Sequence, residues 1–173
     1  MTDNSPLPVG AFTFVLHGAG GDLAKRKIIP ALAHLAKSGY FSAESRIIFA
    51  QREALSPEEA LAQVDSFLKA AGDEAARESI PALLPYLHTL QVVLGTPESC
   101  RAMANAVTGS PEPVVHYAAL PSSRFIDLIN CIPTVRDPSR LRLVLEKPLG
   151  FNAKESALIE EAVAAKLDES QVY

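Results

Sequence analysis

Phe14-Val15-Leu16-His17-Gly18-Ala19-Gly20-Gly21-Asp22-Leu23-Ala24-Lys25-Arg26-Lys27-Ile28-Ile29-Pro30-Ala31-Leu32 is the segment from which the architecture can be read. Its head continues an apolar, β-branched run that begins at Ala11, the composition of a strand buried on both faces. The run stops at Gly18, Gly20 and Gly21. Leu23, Ile28, Ile29, Leu32 and Leu35 then recur at helical spacing up to Ser38-Gly39, a glycine stop. Strand, glycine turn and helix open a βαβ unit. Pro30 alone breaks the pattern, because proline is excluded from helix interiors.

The alternation continues outward. Residues 46–50 read as a second buried strand, and Ser56-Pro57-Glu58-Glu59 as a helix start with a capping serine, a first-turn proline and acids at the positive dipole end. Residues 60–87 read as mostly helical, broken near Ala71-Gly72 and at Pro81 and Pro85. Further strands are predicted over 90–94, 113–120 and 141–146, with helices over 97–107, from Pro121 to Ile132, and over 153–167. Gln171-Val172-Tyr173 looks like the start of another strand. The fold class is therefore α/β: a doubly wound parallel sheet of about five strands with helices on both faces. One domain is expected over residues 11–173, behind a polar lead at 1–10 that is expected to be disordered.

Composition narrows the function. The chain has 173 residues, close to the ~150 of one domain. It is 48% hydrophobic and 21% charged, enough apolar material for one core. Its net charge of −4 offers no cationic field for nucleic acid or anionic lipid. Cys100 and Cys131 are too few for a disulfide framework, and no metal site is predicted. The first residues lack signal-peptide character, and no apolar run reaches the ~20 residues that span a bilayer. A cytoplasmic chain with neither a membrane nor a nucleic-acid partner is the expectation.

Gly18, Ala19, Gly20, Gly21, Asp22 and Leu23 stand where a dinucleotide's pyrophosphate sits in such folds. Glycines permit the tight turn and the close approach, and the helix start offers free amides to an anion. The Gly-x-Gly-Gly spacing is weak by itself, and a βα turn that binds nothing has the same local sequence. At the end of the second strand, where an NAD site usually has an acid, stand Gln51 and Arg52. A guanidinium there suits a 2′-phosphate and favours NADP; an ordinary surface arginine is the alternative. Glu53 lies one step too far to act as that acid. Two more strand ends reach the same crevice, at Ala119-Leu120-Pro121 and at Glu146-Lys147-Pro148. Lys147 could meet an anionic or hydroxylic substrate, or be a solvated lysine before a cis or trans proline turn.

These segments together resemble the N-terminal coenzyme domain, Rossmann-like in fold, of the glucose-6-phosphate dehydrogenase family. The resemblance is carried by Phe14 to Leu32, by Tyr117-Ala118-Ala119-Leu120-Pro121 with Phe125, and by Leu143-Val144-Leu145-Glu146-Lys147-Pro148-Leu149-Gly150. It implies an oxidoreductase that passes hydride from C1 of glucose 6-phosphate to NADP. Gly18 to Leu23 would hold the pyrophosphate, Arg52 the 2′-phosphate, and Ala119, Leu120 and Pro121 the nicotinamide end. Lys147 would contact both sugar phosphate and coenzyme, as the catalytic and substrate-binding residue. It also accounts for Pro30. Departures are Gly20 for a hydroxyl residue, Phe49 for a glycine (expected to crowd the adenosine side), Ser122 for a second proline, and His17 at a usually apolar place. The family's substrate domain and its general-base histidine have no counterpart here, and His34, His88 and His116 do not match that base. A binding module without turnover is the alternative. In the strand order 3-2-1-4-5-6, residues 141–146 are expected to be a bare edge that drives self-association or recruits a complementing chain.

Overall fold

The computed structural model describes residues 9–133, 135 and 137–173. Five parallel strands form one sheet: β1 (Thr13–His17), β2 (Arg46–Gln51), β3 (Leu87–Gln91), β4 (Val114–Ala118) and β5 (Leu141–Leu145), in the order β3-β2-β1-β4-β5. Its two faces bury separate cores. One packs Leu16, Ile47 and Phe49 under α1 (Ile29–Lys37) and α2 (Pro57–Ala71). The other packs Val15, Ile48 and Leu143 under α4 (Pro97–Val107), α5 (Phe125–Cys131) and α6 (Ala153–Ala164). A short α3 (Glu74–Arg77) follows α2. Burial on both faces is why the strands read as continuous apolar runs.

Local chemistry explains the helix boundaries. Ser56 Oγ accepts from the Glu59 amide at 3.2 Å while Glu59 Oε2 accepts from the Ser56 amide at 2.7 Å, a reciprocal cap on α2. Gly72, at φ +73°, ends that helix. Pro30 is accommodated because Ala24–Ile28 form a π-helical turn, in which the Ile29 amide donates to Ala24 O. The wider turn places proline, which has no donor to lose, in the first turn of α1.

Three expectations need correction. The third strand lies at Leu87–Gln91, not 90–94, and His88 stands inside it. Among the described residues it pairs only with β2, through Ile47–Leu87 to Gln51–Gln91, so its register is set by its neighbour and not by its own apolar run. The segment before it is a 3-10 turn, Ile80–Tyr86, since Pro81 and Pro85 deny an α-helix its donors. The edge of β5 is not bare: Val172 bridges Leu143 in parallel, the Tyr173 amide donates to Leu143 O at 2.9 Å, and Leu145 donates to Tyr173 O at 3.0 Å. This bridge lies on the side of β5 where that order places a sixth strand. Of the lead at 1–10, residues 1–8 lie outside the described residues, and the Val9 amide donates to Tyr40 O at 3.0 Å.

Ser56→Ala removes one half of the reciprocal cap. It is expected to cost about 1 kcal/mol and to lower the melting temperature by about 3 °C in a thermal scan.

Candidate functional site

Strand order reverses between β2 and β4, on either side of β1, which opens a crevice beyond their carboxyl ends. The glycine turn fills the gap. The Gly18 amide donates to Ala50 O at 2.9 Å, the Ala119 amide to His17 O at 3.0 Å, and the Gly21 amide closes the turn onto Gly18 O at 2.8 Å. Gly18 has φ +81°, and a Cβ added there would lie 2.5 Å from Ala119 O and 2.9 Å from Leu120 Cδ2. A Cβ on Gly21 would lie 3.0 Å from Gly18 O, whereas one on Gly20 meets nothing nearer than Gln51 Oε1 at 3.5 Å. Packing therefore demands glycine at Gly18 and makes a Cβ at Gly21 tight, whereas Gly20 has room for one beside Gln51.

The structure brings together most of the residues singled out. Ala119 and Leu120 touch the turn through Gly18. Ala19 is buried, while Gly20, Gly21, Asp22 and Leu23 are exposed at the mouth. Asp22 and Leu23 open the first helix, where amides have no intrahelical partner. Asp22 is paired with Arg26 at 3.3 Å, which directs that carboxylate along the helix. Arg52 is exposed just past β2 and forms no ion pair among the described residues, and Glu53 accepts from Gln63 at 3.2 Å. Lys147, exposed just past β5, stands two strand positions from β1, about 10 Å at the usual spacing. The Lys147-Pro148 bond is cis. Beside it the Tyr117 hydroxyl donates to the Glu146 carboxylate, joining the ends of β4 and β5. Burial and that carboxylate raise the Tyr117 phenol well above its ordinary value.

Phe49 does not crowd the adenosine side. Strand alternation turns it into the core under α1 and α2, where it is buried. From sequence, Gln51 has no role beyond its place before Arg52. It is the last residue of β2, nearly buried, with its Oε1 beside Gly20 and no partner for its Nε2. The signal was its place at the strand end, one residue before the arginine.

His17 and His116 share the β1–β4 face with Val15 and are fully buried. His17 Nε2 lies 2.9 Å from His116 Nδ1, and the rings stack at 5.2 Å. Burial, and then the neighbouring His116, hold His17 well below its ordinary value; burial lowers His116 to about 4. Both are therefore neutral near pH 7, and neither faces a substrate as a base. His34 is exposed on α1, and His88 sits on the outermost strand.

A sequence model described as "Glucose-6-phosphate dehydrogenase, NAD binding domain" matches residues 15–173. The chain belongs to the glucose-6-phosphate dehydrogenase family. It is 30% identical over 94% of its length to glucose-6-phosphate 1-dehydrogenase of Helicobacter pylori strain J99, covering 37% of that protein. It is 29% identical over 95% of its length to the Arabidopsis thaliana protein named "Glucose-6-phosphate 1-dehydrogenase 6, cytoplasmic", covering 35% of it. Among solved structures, the Mycobacterium avium enzyme superposes with a TM-score of 0.77 at 22% identity, over 94% of this chain and 35% of that one. A second, titled "Glucose-6-phosphate dehydrogenase in complex with its substrate glucose-6-phosphate", gives 0.74 at 25% identity, over 96% and 37%. The chain thus spans little more than a third of the relatives it matches. What it shares with them is the domain that binds a nicotinamide dinucleotide.

Two measurements test this geometry. Gly18→Ala is expected to cost more than about 2 kcal/mol in urea denaturation, and Gly20→Ala to stay within about 0.5 kcal/mol. The histidine pair sets a pH dependence. His116 binds its proton at about 4 in the folded chain and near 6.5 when unfolded, so the unfolded state gains protons first as pH falls. Stability contributed by a neutral His116 is complete above about pH 7 and is lost between about 6.5 and 4, amounting to about 3 kcal/mol at pH 4. Urea unfolding of His116→Leu should show a shallower loss over that range than the parent chain.

Proposed function

We propose that the chain binds NADP at the glycine turn and serves as the coenzyme half of a glucose-6-phosphate dehydrogenase-type oxidoreductase. The observation that carries this is the wedged turn: Gly18 packed against Ala119, with Gly20 left open beside the first-turn amides of Asp22 and Leu23. Backbone donors held so close to a helix start suit a diphosphate. Arg52, exposed and unpaired among the described residues, serves the 2′-phosphate, and the orphaned Gln51 amide beside Gly20 serves the adjoining ribose. Ala119, Leu120 and Pro121 line the nicotinamide end. When bound, NADP supplies the hydride acceptor. Lys147 positions a sugar phosphate by charge and hydrogen bonding, with glucose 6-phosphate as the substrate and its C1 as the hydride donor.

A second reading is binding without turnover. It is favoured by the histidines: two are buried and neutral in a pair, one is on the outer surface of α1 and one is on the edge strand. None stands at the crevice to take a proton. Histidine-assisted proton transfer would therefore need a group from outside residues 1–173. An apolar groove of about 470 Å3 beside α6, lined by Leu145, Ile159, Val163, Leu167 and Val172, offers a place for a complementing chain or a second copy. Among the described residues no helix is long and apolar enough to cross a membrane, and a cytoplasmic location is proposed with that of the Arabidopsis relative.

Calorimetric titration decides the central point. NADP is expected to bind more tightly than NAD, and Arg52→Ala to weaken NADP about tenfold while leaving NAD within about twofold. Absence of any NADP heat would end the coenzyme reading. An NADPH absorbance assay with glucose 6-phosphate separates turnover from binding alone, and Lys147→Ala should abolish any rate while sparing most NADP affinity.

A further inference from the structure

We propose that the bond between Cys100 and Cys131 is a reversible thiol–disulfide exchange site, taking a small thiol or a dithiol protein, that governs how α5 docks on α4. The bond joins the first turn of α4 to the last residue of α5, across 31 residues of sequence and 4.5 Å between Cα atoms. No framework of cysteines accompanies it. The sheet already buries a core on each face, so this bond is not a staple for a chain too small to fold.

Its two sulfurs are unequally placed. Cys131 is 5% exposed, whereas Cys100, packed at the margin of the same core, is only partly buried, which makes Cys100 the side from which a thiolate would approach. Attack forms a bond to Cys100 Sγ and breaks the Cys100–Cys131 bond, whose electron pair leaves on Cys131 Sγ and takes a proton. A second thiol of the reductant then attacks the mixed disulfide and releases Cys100. The dithiol is oxidised to its disulfide, and two electrons and two protons pass to the protein.

The fold is arranged to survive the opening. α5 has seven residues, and its inner face is set in the core by Phe125, Leu128 and Ile129. At its start Arg124 pairs with Asp127 at 2.9 Å and donates to Leu94 O, next to α4. At its end Lys166 Nζ donates to Ile129 O at 2.9 Å and to Asn130 O at 2.7 Å. These contacts keep the helix formed without the bond. What is lost is the covalent tie to α4, in the helix that continues from the Ala119-Leu120-Pro121 segment.

The test uses the full chain in native buffer. Iodoacetamide should label neither cysteine of the untreated chain and both after dithiothreitol without denaturant. Reduced glutathione should leave a mixed disulfide that peptide mapping places on Cys100, and oxidised glutathione should restore the bond. Reduction should lower the melting temperature by roughly 10 °C, and hydrogen exchange over 97–107 and 122–131 should rise tenfold or more while the sheet is unchanged. A bond that resists dithiothreitol until denaturant is added, an adduct on Cys131, free thiols in the untreated chain, or exchange unaltered by reduction would each overturn the proposal. Cys131→Ser supplies a check free of the bond: native Cys100 should take up glutathione from its disulfide, and an inert thiol there would refute the site.

Discussion

Everything at the carboxyl end of the sheet depends on the space that a missing Cβ leaves at Gly18. The turn after β1 passes so close to Ala119 that an added carbon would sit 2.5 Å from its carbonyl oxygen. With that carbon absent, β1 and β4 stay paired to their last residues, and the Ala119-Leu120-Pro121 segment lies against the turn. Two parts of the site far apart in sequence are thereby brought into contact by backbone alone. The more open side is left to Gly20, where an added Cβ would have only Gln51 Oε1 within 4 Å. Packing and binding use different glycines of one motif.

The same strands carry a second constraint in their middle. A parallel sheet covered by helices on both faces has little room for polar groups, yet β1 and β4 place His17 and His116 there. One nitrogen of each ring is answered by the other at 2.9 Å and both rings give up their charge, while His116 Nε2 stays without a partner among the described residues. This removes them from proton chemistry at the crevice. Among the described residues, no histidine is exposed beside the glycine turn.

At its far edge the fold is joined by features that no single element specifies. Val172 and Tyr173 pair with β5, although two residues are too few to declare a strand, because Leu143 and Leu145 present free backbone groups to them. Cys100 and Cys131 meet because α4 and α5 descend side by side on one face. Two cysteines 31 residues apart carry no pairing signal in sequence.

The amino-acid sequence alone determined the alternation of buried strands and helices, the glycine turn after β1, the helix start at Ser56 and the two strands that lead into Ala119 and Lys147. Each of these is written in local chemistry: apolar runs, a donor-free proline, a capping hydroxyl, a residue without a Cβ. Tertiary structure decided what depends on neighbours. It put β3 at Leu87–Gln91 by pairing it to β2, turned Phe49 into the core by strand alternation, and widened a helical turn for Pro30. It also paired the histidines, joined the cysteines and left Gln51 unsatisfied beside Gly20. Register, side-chain direction and satisfaction of buried polar groups are relations between segments, and no reading along one segment contains them.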